Sequence, residues 1–126
     1  MELRKVNQKL FVGSLLLGLC VALGALGAHG LEKTLSAKHL ATFITGVHYQ
    51  MIHSFGIILL GILTQIFNKE FKREFICFLV GIVFFSFNCY IYAISGVKIF
   101  AMLIPIGGVT FIVGWILLSL NFLKKS

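Results

Sequence analysis

Aspartate is absent from this chain, and its four acids, Glu2, Glu32, Glu70 and Glu74, all fall in tails or between apolar runs. The paired carboxylates of general acid–base catalysis are therefore missing from the apolar runs. No nucleophile–base–orienter set and no phosphate-binding loop replaces them. The sequence points to no enzyme and no catalytic residue. Charged residues make up only 12%, against about 25% in an ordinary soluble domain. Cysteine occurs three times, as Cys20, Cys77 and Cys89, each inside an apolar run and without CxxC or Cys/His spacing. That excludes a disulfide framework and a structural zinc site, and leaves the thiols as small buried hydrophobes.

What is present is apolar. The chain is 59% hydrophobic over 126 residues, with a mean hydropathy of +1.01. A soluble chain this short could not bury so much apolar surface in one core, so lipid is its main solvent. The net charge of +7 invites a nucleic-acid partner, but the Lys and Arg residues flank the apolar runs instead of forming one basic face. Residues 1–126 read as one transmembrane domain with spans at about 10–28, 46–67, 75–94 and 102–122. Each has about the 20 residues that cross a 30 Å hydrocarbon layer, and each must be a helix to satisfy its backbone there. The first run follows Arg4, Lys5 and Lys9 and ends in small residues, as a signal peptide does, but its length marks a retained helix. The fold class is all-α, an integral membrane four-helix bundle.

Eight of the eleven basic residues lie in the N-terminal tail (Arg4, Lys5, Lys9), the middle connection (Lys69, Lys72, Arg73) and the C-terminal tail (Lys124, Lys125). Four crossings put these on one side, and the positive-inside rule makes that side, with both termini, cytoplasmic. Gly30 reads as a left-handed cap of the first helix. From Ser36, Leu40, Phe43, Ile44, Val47 and Met51 recur at helical spacing, an amphipathic turn running into the second span.

Polar residues inside the spans are few. Gly46, Gln50, Ser54, Gly61 and Gln65 share one side of the second helix, with Tyr49 and His53 beside them; Phe55, Leu59, Ile62 and Ile66 share the opposite side. His48 points away from Gln50 and reads as an interfacial residue that snorkels to headgroups. On the third helix Ser86 aligns with Tyr90, and Asn88 lies mid-span, where its amide should face another helix. The first helix carries small residues four apart, Gly18 with Ala22 and Gly24 with Ala28, spacing that permits close helix approach. Pro105 either begins the fourth helix or kinks one that starts near Ile99, and Gly107 and Gly108 would pack against the tip of the first helix.

The order of motifs resembles the DUF423 (UPF0382) family of small membrane proteins. The resemblance rests on Gly24-Ala25-Leu26-Gly27-Ala28-His29-Gly30-Leu31, then Tyr49-Gln50-Met51-Ile52-His53, then Phe85-Ser86 with Tyr90 and Gly96, then Ile104-Pro105-Ile106-Gly107-Gly108 with Gly114-Trp115. It implies a four-helix bacterial inner-membrane protein and carries no established activity. Two departures stand out: Phe43-Ile44 where the family usually has Trp-Glu, and Ser86-Phe87-Asn88 where it usually has Ser-Gly-Ser. The acid is missing here, which counts against any mechanism that needs it, such as a proton relay through a carboxylate.

Residues and resemblance together suggest one polar cluster near the outer helix ends, formed by His29, Tyr49, Gln50, His53, Ser86, Asn88 and Tyr90. Packing would come from Gly24, Gly27, Ala28, Gly30, Pro105, Gly107 and Gly108. Two histidines alone make a poor metal site, and no cofactor is implied. The expected partners are the lipid bilayer and a larger membrane complex or a second copy, with no nucleic acid. The expected role is an accessory or structural membrane subunit; the alternative is a solute or proton transporter component acting as an oligomer.

Overall fold

A computed structural model describes residues 2–123, so the basic residues Lys124 and Lys125 lie outside the described residues. The chain is helical almost throughout: α1 (Leu3–His29), a 3-10 turn (Leu31–Lys33), α2 (Ala37–Phe67), α3 (Lys72–Gly81), a π-helical stretch (Ile82–Phe87), α4 (Asn88–Ser95) and α5 (Lys98–Leu120). From Lys72 to Ser95 the middle elements form one rod, so four helices are long and apolar enough to cross a membrane. α2, with 31 residues, is about 46 Å long at 1.5 Å per residue.

Local signals set the ends. The Ser36 hydroxyl accepts from the His39 N–H and caps α2. The amphipathic stretch after Ser36 is thus the first turn of α2 itself. Gly96, with φ of +69°, closes α4, and its N–H donates to the Tyr92 carbonyl. Gly30 departs from expectation. Its backbone is right-handed (φ −108°, ψ −56°), and its N–H reaches Leu26 O at 2.8 Å. The chain continues there into the 3-10 turn, which needs no left-handed residue. Pro105 lies inside α5, which begins at Lys98. Of the two alternatives for Pro105, the helix that starts before it is the one observed.

In lipid, apolar side chains gain nothing by leaving water for a neighbouring helix, so close packing decides which helices meet. α1 lies along α2, while α5 lies along the rod of α3, the π stretch and α4. A Cβ on Gly13 would sit 2.6 Å from Ile58 and 2.9 Å from the Ser54 carbonyl. One on Gly107 would sit 2.3 Å from the Phe85 backbone nitrogen. Gly107 therefore packs against the π stretch and not against the tip of α1. The expected small-residue contacts of α1 are also redistributed. Gly18 has nothing within 4 Å, and Gly24 meets Val47 at an ordinary 3.6 Å, while Gly27 fits against the Phe43 ring. Ala22 and Ala28 are exposed.

Two cores result. Ile57, Leu60, Phe71, Phe75, Phe78, Ile82, Phe111 and Leu118 fill one between α2, α3 and α5; Phe43, Tyr90 and Ala93 form the other near the opposite end. The N-terminal turn, the connection between α2 and α3 and the end of α5 meet at one end of the bundle. There Lys5 bonds Glu70 at 3.0 Å, Lys69 Nζ donates to Asn121 Oδ1, and Asn121 Nδ2 donates to Glu74 at 3.3 Å. At the other end the His39 Nδ1 atom lies 2.9 Å from the Ala93 carbonyl.

Candidate functional site

On α2, Tyr49 and His53 stand one turn apart and face α5. His53 is buried, and both of its ring nitrogens are engaged. Nδ1 lies 2.7 Å from the Tyr49 carbonyl, and Nε2 lies 2.9 Å from the Trp115 indole nitrogen. A carbonyl only accepts and an indole N–H only donates. Nδ1 must therefore carry the proton and Nε2 the lone pair. The ring lies flat on Phe111, with centroids 3.5 Å apart and planes 10° apart, and meets Phe78 edge-on at 5.4 Å. No lone pair remains for a metal, and the only N–H is held.

Beside His53, the Tyr49 ring packs on Phe85 at 4.5 Å. Its hydroxyl has no hydrogen bond among the described residues, in contrast to the paired heteroatoms of His53. Tyr49, His53, Phe85, Phe111 and Trp115 line a cleft of about 360 Å³, together with Ile52, Gly108 and Ile112. The rim residues Tyr49, Ile52 and Ile112 are 41%, 49% and 60% exposed, so the cleft opens sideways from the bundle. Phe85 comes from the π-helical stretch and Gly108 from the turn after Pro105. Both helix irregularities thus contribute to this wall.

A second polar group lies on the α1 and α4 side of α2. The Gln50 amide donates from Nε2 to the Leu16 carbonyl at 2.9 Å, and its Oε1 accepts from the Tyr90 hydroxyl at 2.6 Å. One side chain thereby ties α1, α2 and α4. The Ser54 hydroxyl donates back to the Gln50 carbonyl at 2.6 Å. Ser86 Oγ is buried without a hydrogen-bond partner. Asn88 donates to the Phe84 carbonyl at 2.8 Å, within its own rod. Asn88 is buried, as an amide facing another helix should be, but the bond it makes goes to a carbonyl one turn back, in the π-helical stretch.

The expected single cluster is therefore two groups, one around His53 and one around Gln50. His29 joins neither. It sits exposed in the last turn of α1, with no hydrogen bond among the described residues. Gly46, Gln50, Ser54 and Gly61 are buried as their stripe implies, but Gln65 is exposed in the last turn of α2. Pro105, expected to pack, is exposed on α5; Gly107 is buried against Phe84 and Phe85, and Gly108 alone of the three reaches the cleft. Among the described residues no three His, Cys, Asp or Glu side chains gather as a metal site.

His48 points away from Gln50, as its reading has it. It is exposed on the outward face of α2 and lines a groove of about 500 Å³ with Leu17, Cys20, Val21, Gly24, Val47, Met51 and Phe55. Those α1 residues are the middle of its apolar run, so His48 stands among the apolar side chains of two membrane-length helices. No side chain among the described residues bonds it. Cys20, in the same groove, donates to the Val47 carbonyl at 3.1 Å.

Several residues at work here carried no sequence signal of their own. Trp115 entered only through the resemblance, and its indole partner could not be foreseen. Lys9 is 1% exposed, donates to the Lys5 carbonyl at 3.3 Å and lies over the Phe75 ring at 5.4 Å. Glu74 is 2% exposed against Asn121. Both flank apolar runs and read as solvated anchors. At the same end, the Lys5 hydrogen bond holds the Glu70 carboxyl below its usual range, helped by the charges of Lys5, Lys9 and Lys72.

Comparison with known proteins agrees with this architecture. The family described as "Protein of unknown function (DUF423)" matches residues 23–108. A UPF0382 membrane protein of Staphylococcus saprophyticus is 41% identical, over 93% of this chain and 99% of the relative. One of Haemophilus influenzae is 36% identical, over 85% of this chain and 86% of the relative. The UPF0382 inner membrane protein YgdD of Escherichia coli is 35% identical, over 82% of this chain and 80% of the relative. No solved structure matches the chain. With four membrane-length helices and these relatives, it is a multi-pass bacterial inner-membrane protein, and it belongs to the DUF423 (UPF0382) family.

Proposed function

We propose that this protein is a non-enzymatic accessory subunit that docks to a larger membrane complex through the outward face of α1 and α2. The observation that carries the reading is His48. Its imidazole has no hydrogen-bond partner among the described residues and stands in an apolar groove that this reading sets at hydrocarbon depth. A polar group left unpaired in hydrocarbon costs several kcal/mol, roughly, and a polar group on a partner helix would remove that penalty. Ile44, where the family pattern usually has its acid, lies one turn away on the same exposed face. Gly18 and Ala22, on the neighbouring outward surface of α1, leave room for close approach. Both termini belong on the cytoplasmic side in this reading. Arg4, Lys5, Lys9, Lys69, Lys72 and Arg73 gather at that end, against Lys33, Lys38 and Lys98 at the other.

Transport by an oligomer is the second reading, and the interior counts against it. Gln50 and His53, the polar side chains best placed for a path, are both fully engaged. The deciding experiment is extraction of tagged protein in mild detergent, with His48→Leu in parallel. Wild type should co-purify with a larger membrane complex. The leucine variant suits a lipid-facing site and should fold but lose the partner. Wild type that emerges alone, and then moves protons or a solute in liposomes, would replace this reading with the transporter. Cysteines placed singly at positions 33 and 69 should label from opposite faces, 69 from the cytoplasm.

A further inference from the structure

We propose that the sideways cleft beside His53 binds a flat, carbonyl-bearing ring on an apolar tail, the chemistry of a membrane quinone. The site is separate from the α1–α2 docking face, and neither proposal depends on the other. The argument begins with what the wall offers. Five rings, those of Tyr49, His53, Phe85, Phe111 and Trp115, enclose the cleft. Rings prefer offset or edge contacts with another flat π-system, and such contacts add to simple packing. The polar atoms of His53 and Trp115 point at each other, so these two side chains offer the cleft their ring surfaces. Among the described residues the Tyr49 hydroxyl of the lining has no partner, and it can donate to a ring carbonyl.

Depth selects between tailed molecules. Tyr49 packs on Phe85, and Phe85 lies against Gly107 and Gly108. Gly108 is ten residues into α5 from Lys98, about 15 Å along the helix. The ester carbonyls of a phospholipid sit near the interface, about 15 Å from the middle of a 30 Å hydrocarbon core. An acyl chain could fill the cleft but would bring no acceptor to Tyr49. A quinone ring travels within the hydrocarbon layer and brings its carbonyls with it. The lateral opening lets the tail stay in the bilayer while the ring enters. Space for the ring depends on Gly108. A Cβ there would meet only the Phe85 ring, at 3.7 Å and 3.8 Å. A larger side chain at 108 would thus occupy the cleft without striking backbone.

Trp115 is the only tryptophan and lines the cleft, so its fluorescence reports occupancy directly. The full chain is reconstituted in phospholipid nanodiscs and titrated with a short-tailed benzoquinone and a short-tailed naphthoquinone. Saturable quenching is expected for wild type. Gly108→Leu should reduce it to the non-saturating background of quinone dissolved in lipid, and Ile112→Phe, a rim substitution, should weaken it. Tyr49→Phe should raise the half-saturation concentration about five- to tenfold, the value of one hydrogen bond. Circular dichroism and Trp115 emission without quinone verify that each variant is folded. Linear quenching, equal in wild type and in a folded Gly108→Leu or Ile112→Phe variant, would overturn the proposal. Strong quenching by phospholipids brominated on the acyl chain, unaffected by added quinone, would assign the cleft to an acyl chain and overturn it equally.

Discussion

Removing the Tyr90 hydroxyl tests whether Gln50 is the clip that the geometry describes. Gln50 is 0% exposed and its two amide atoms have one partner each, Leu16 O at 2.9 Å and Tyr90 Oη at 2.6 Å. Tyr90→Phe leaves Oε1 without a donor in a region that water does not reach, and should cost about 1–2 kcal/mol. Gln50→Leu leaves the Tyr90 hydroxyl bare and removes the second bond to the Leu16 carbonyl, which keeps its helical partner, and should cost at least as much. The double variant removes both members of the Tyr90 pair, so its cost should fall short of the sum by about 1 kcal/mol. Polar pairs between membrane helices average about 0.6 kcal/mol and reach about 1.7. A pair this short and this buried belongs in the upper half of that range. Unfolding of the four proteins in mixed micelles, titrated with a denaturing detergent and followed by Trp115 emission, supplies the cycle. Additivity within about 0.3 kcal/mol would mean that the bond contributes nothing to holding α4 against α2.

Three further outcomes follow from other contacts. Gly107→Ala places a methyl 2.3 Å from the Phe85 backbone nitrogen and should destabilise by about 2–3 kcal/mol; Gly18→Ala, with nothing within 4 Å, should be neutral or stabilise by up to about 1 kcal/mol. The same micelle titration separates them, and equal effects would mean that α5 does not pack on the π stretch. Gly96→Ala, at φ of +69°, should cost about 1 kcal/mol, and an unchanged midpoint would place the end of α4 elsewhere. The fourth outcome concerns pH. Glu70 is held below its ordinary value of 4.5 by the Lys5 hydrogen bond, so its folded form takes up a proton less readily than its unfolded form. Its contribution is present above pH 4.5 and is lost as pH falls below that value. Glu70→Gln should flatten this acid-side loss, and parallel curves for the two proteins would contradict the ion pair.

The four helices could be read from length and hydropathy because lipid leaves a crossing segment few alternatives. Gln50 could be placed inward because an amide must leave lipid and its neighbours Gly46 and Ser54 share its side. The faces of α1 could not be read. Gly13, Gly18, Gly24, Gly27, Ala22, Ala25 and Ala28 surround that helix with small residues, so spacings of four recur on several faces. Only the position of Ile58 and Phe43 shows that Gly13 and Gly27 are the ones used. Asn88 could be placed inward but its partner could not, because a side-chain amide can be satisfied one turn back, at Phe84 O, as readily as across helices. His29 and His53 have similar residue chemistry but different surroundings. One ends a helix in the open, while the other is fixed by an indole that lies 62 residues further along the chain. The start of α2 at Ala37, nine residues before the apolar run counted from Gly46, could not be read from hydropathy, because Lys38 and His39 lie in its first turn.

The contacts that close the basic end join distant parts of the chain: Lys5 with Glu70 across 65 positions, and Lys69 with Asn121 across 52. A ribosome adds about 5–20 residues each second, so the opening turn waits several seconds for its counter-ion and longer for the final helix to arrive. During that interval the first hairpin must reside in the bilayer with one end unfastened. Asn68 and Phe71 both hold left-handed backbone at the corner concerned; asparagine adopts it readily, whereas at Phe71 it costs energy. The bonds from this corner to Lys5 and Asn121 therefore close only once the helices they join are in place, as the clasp of an otherwise finished assembly.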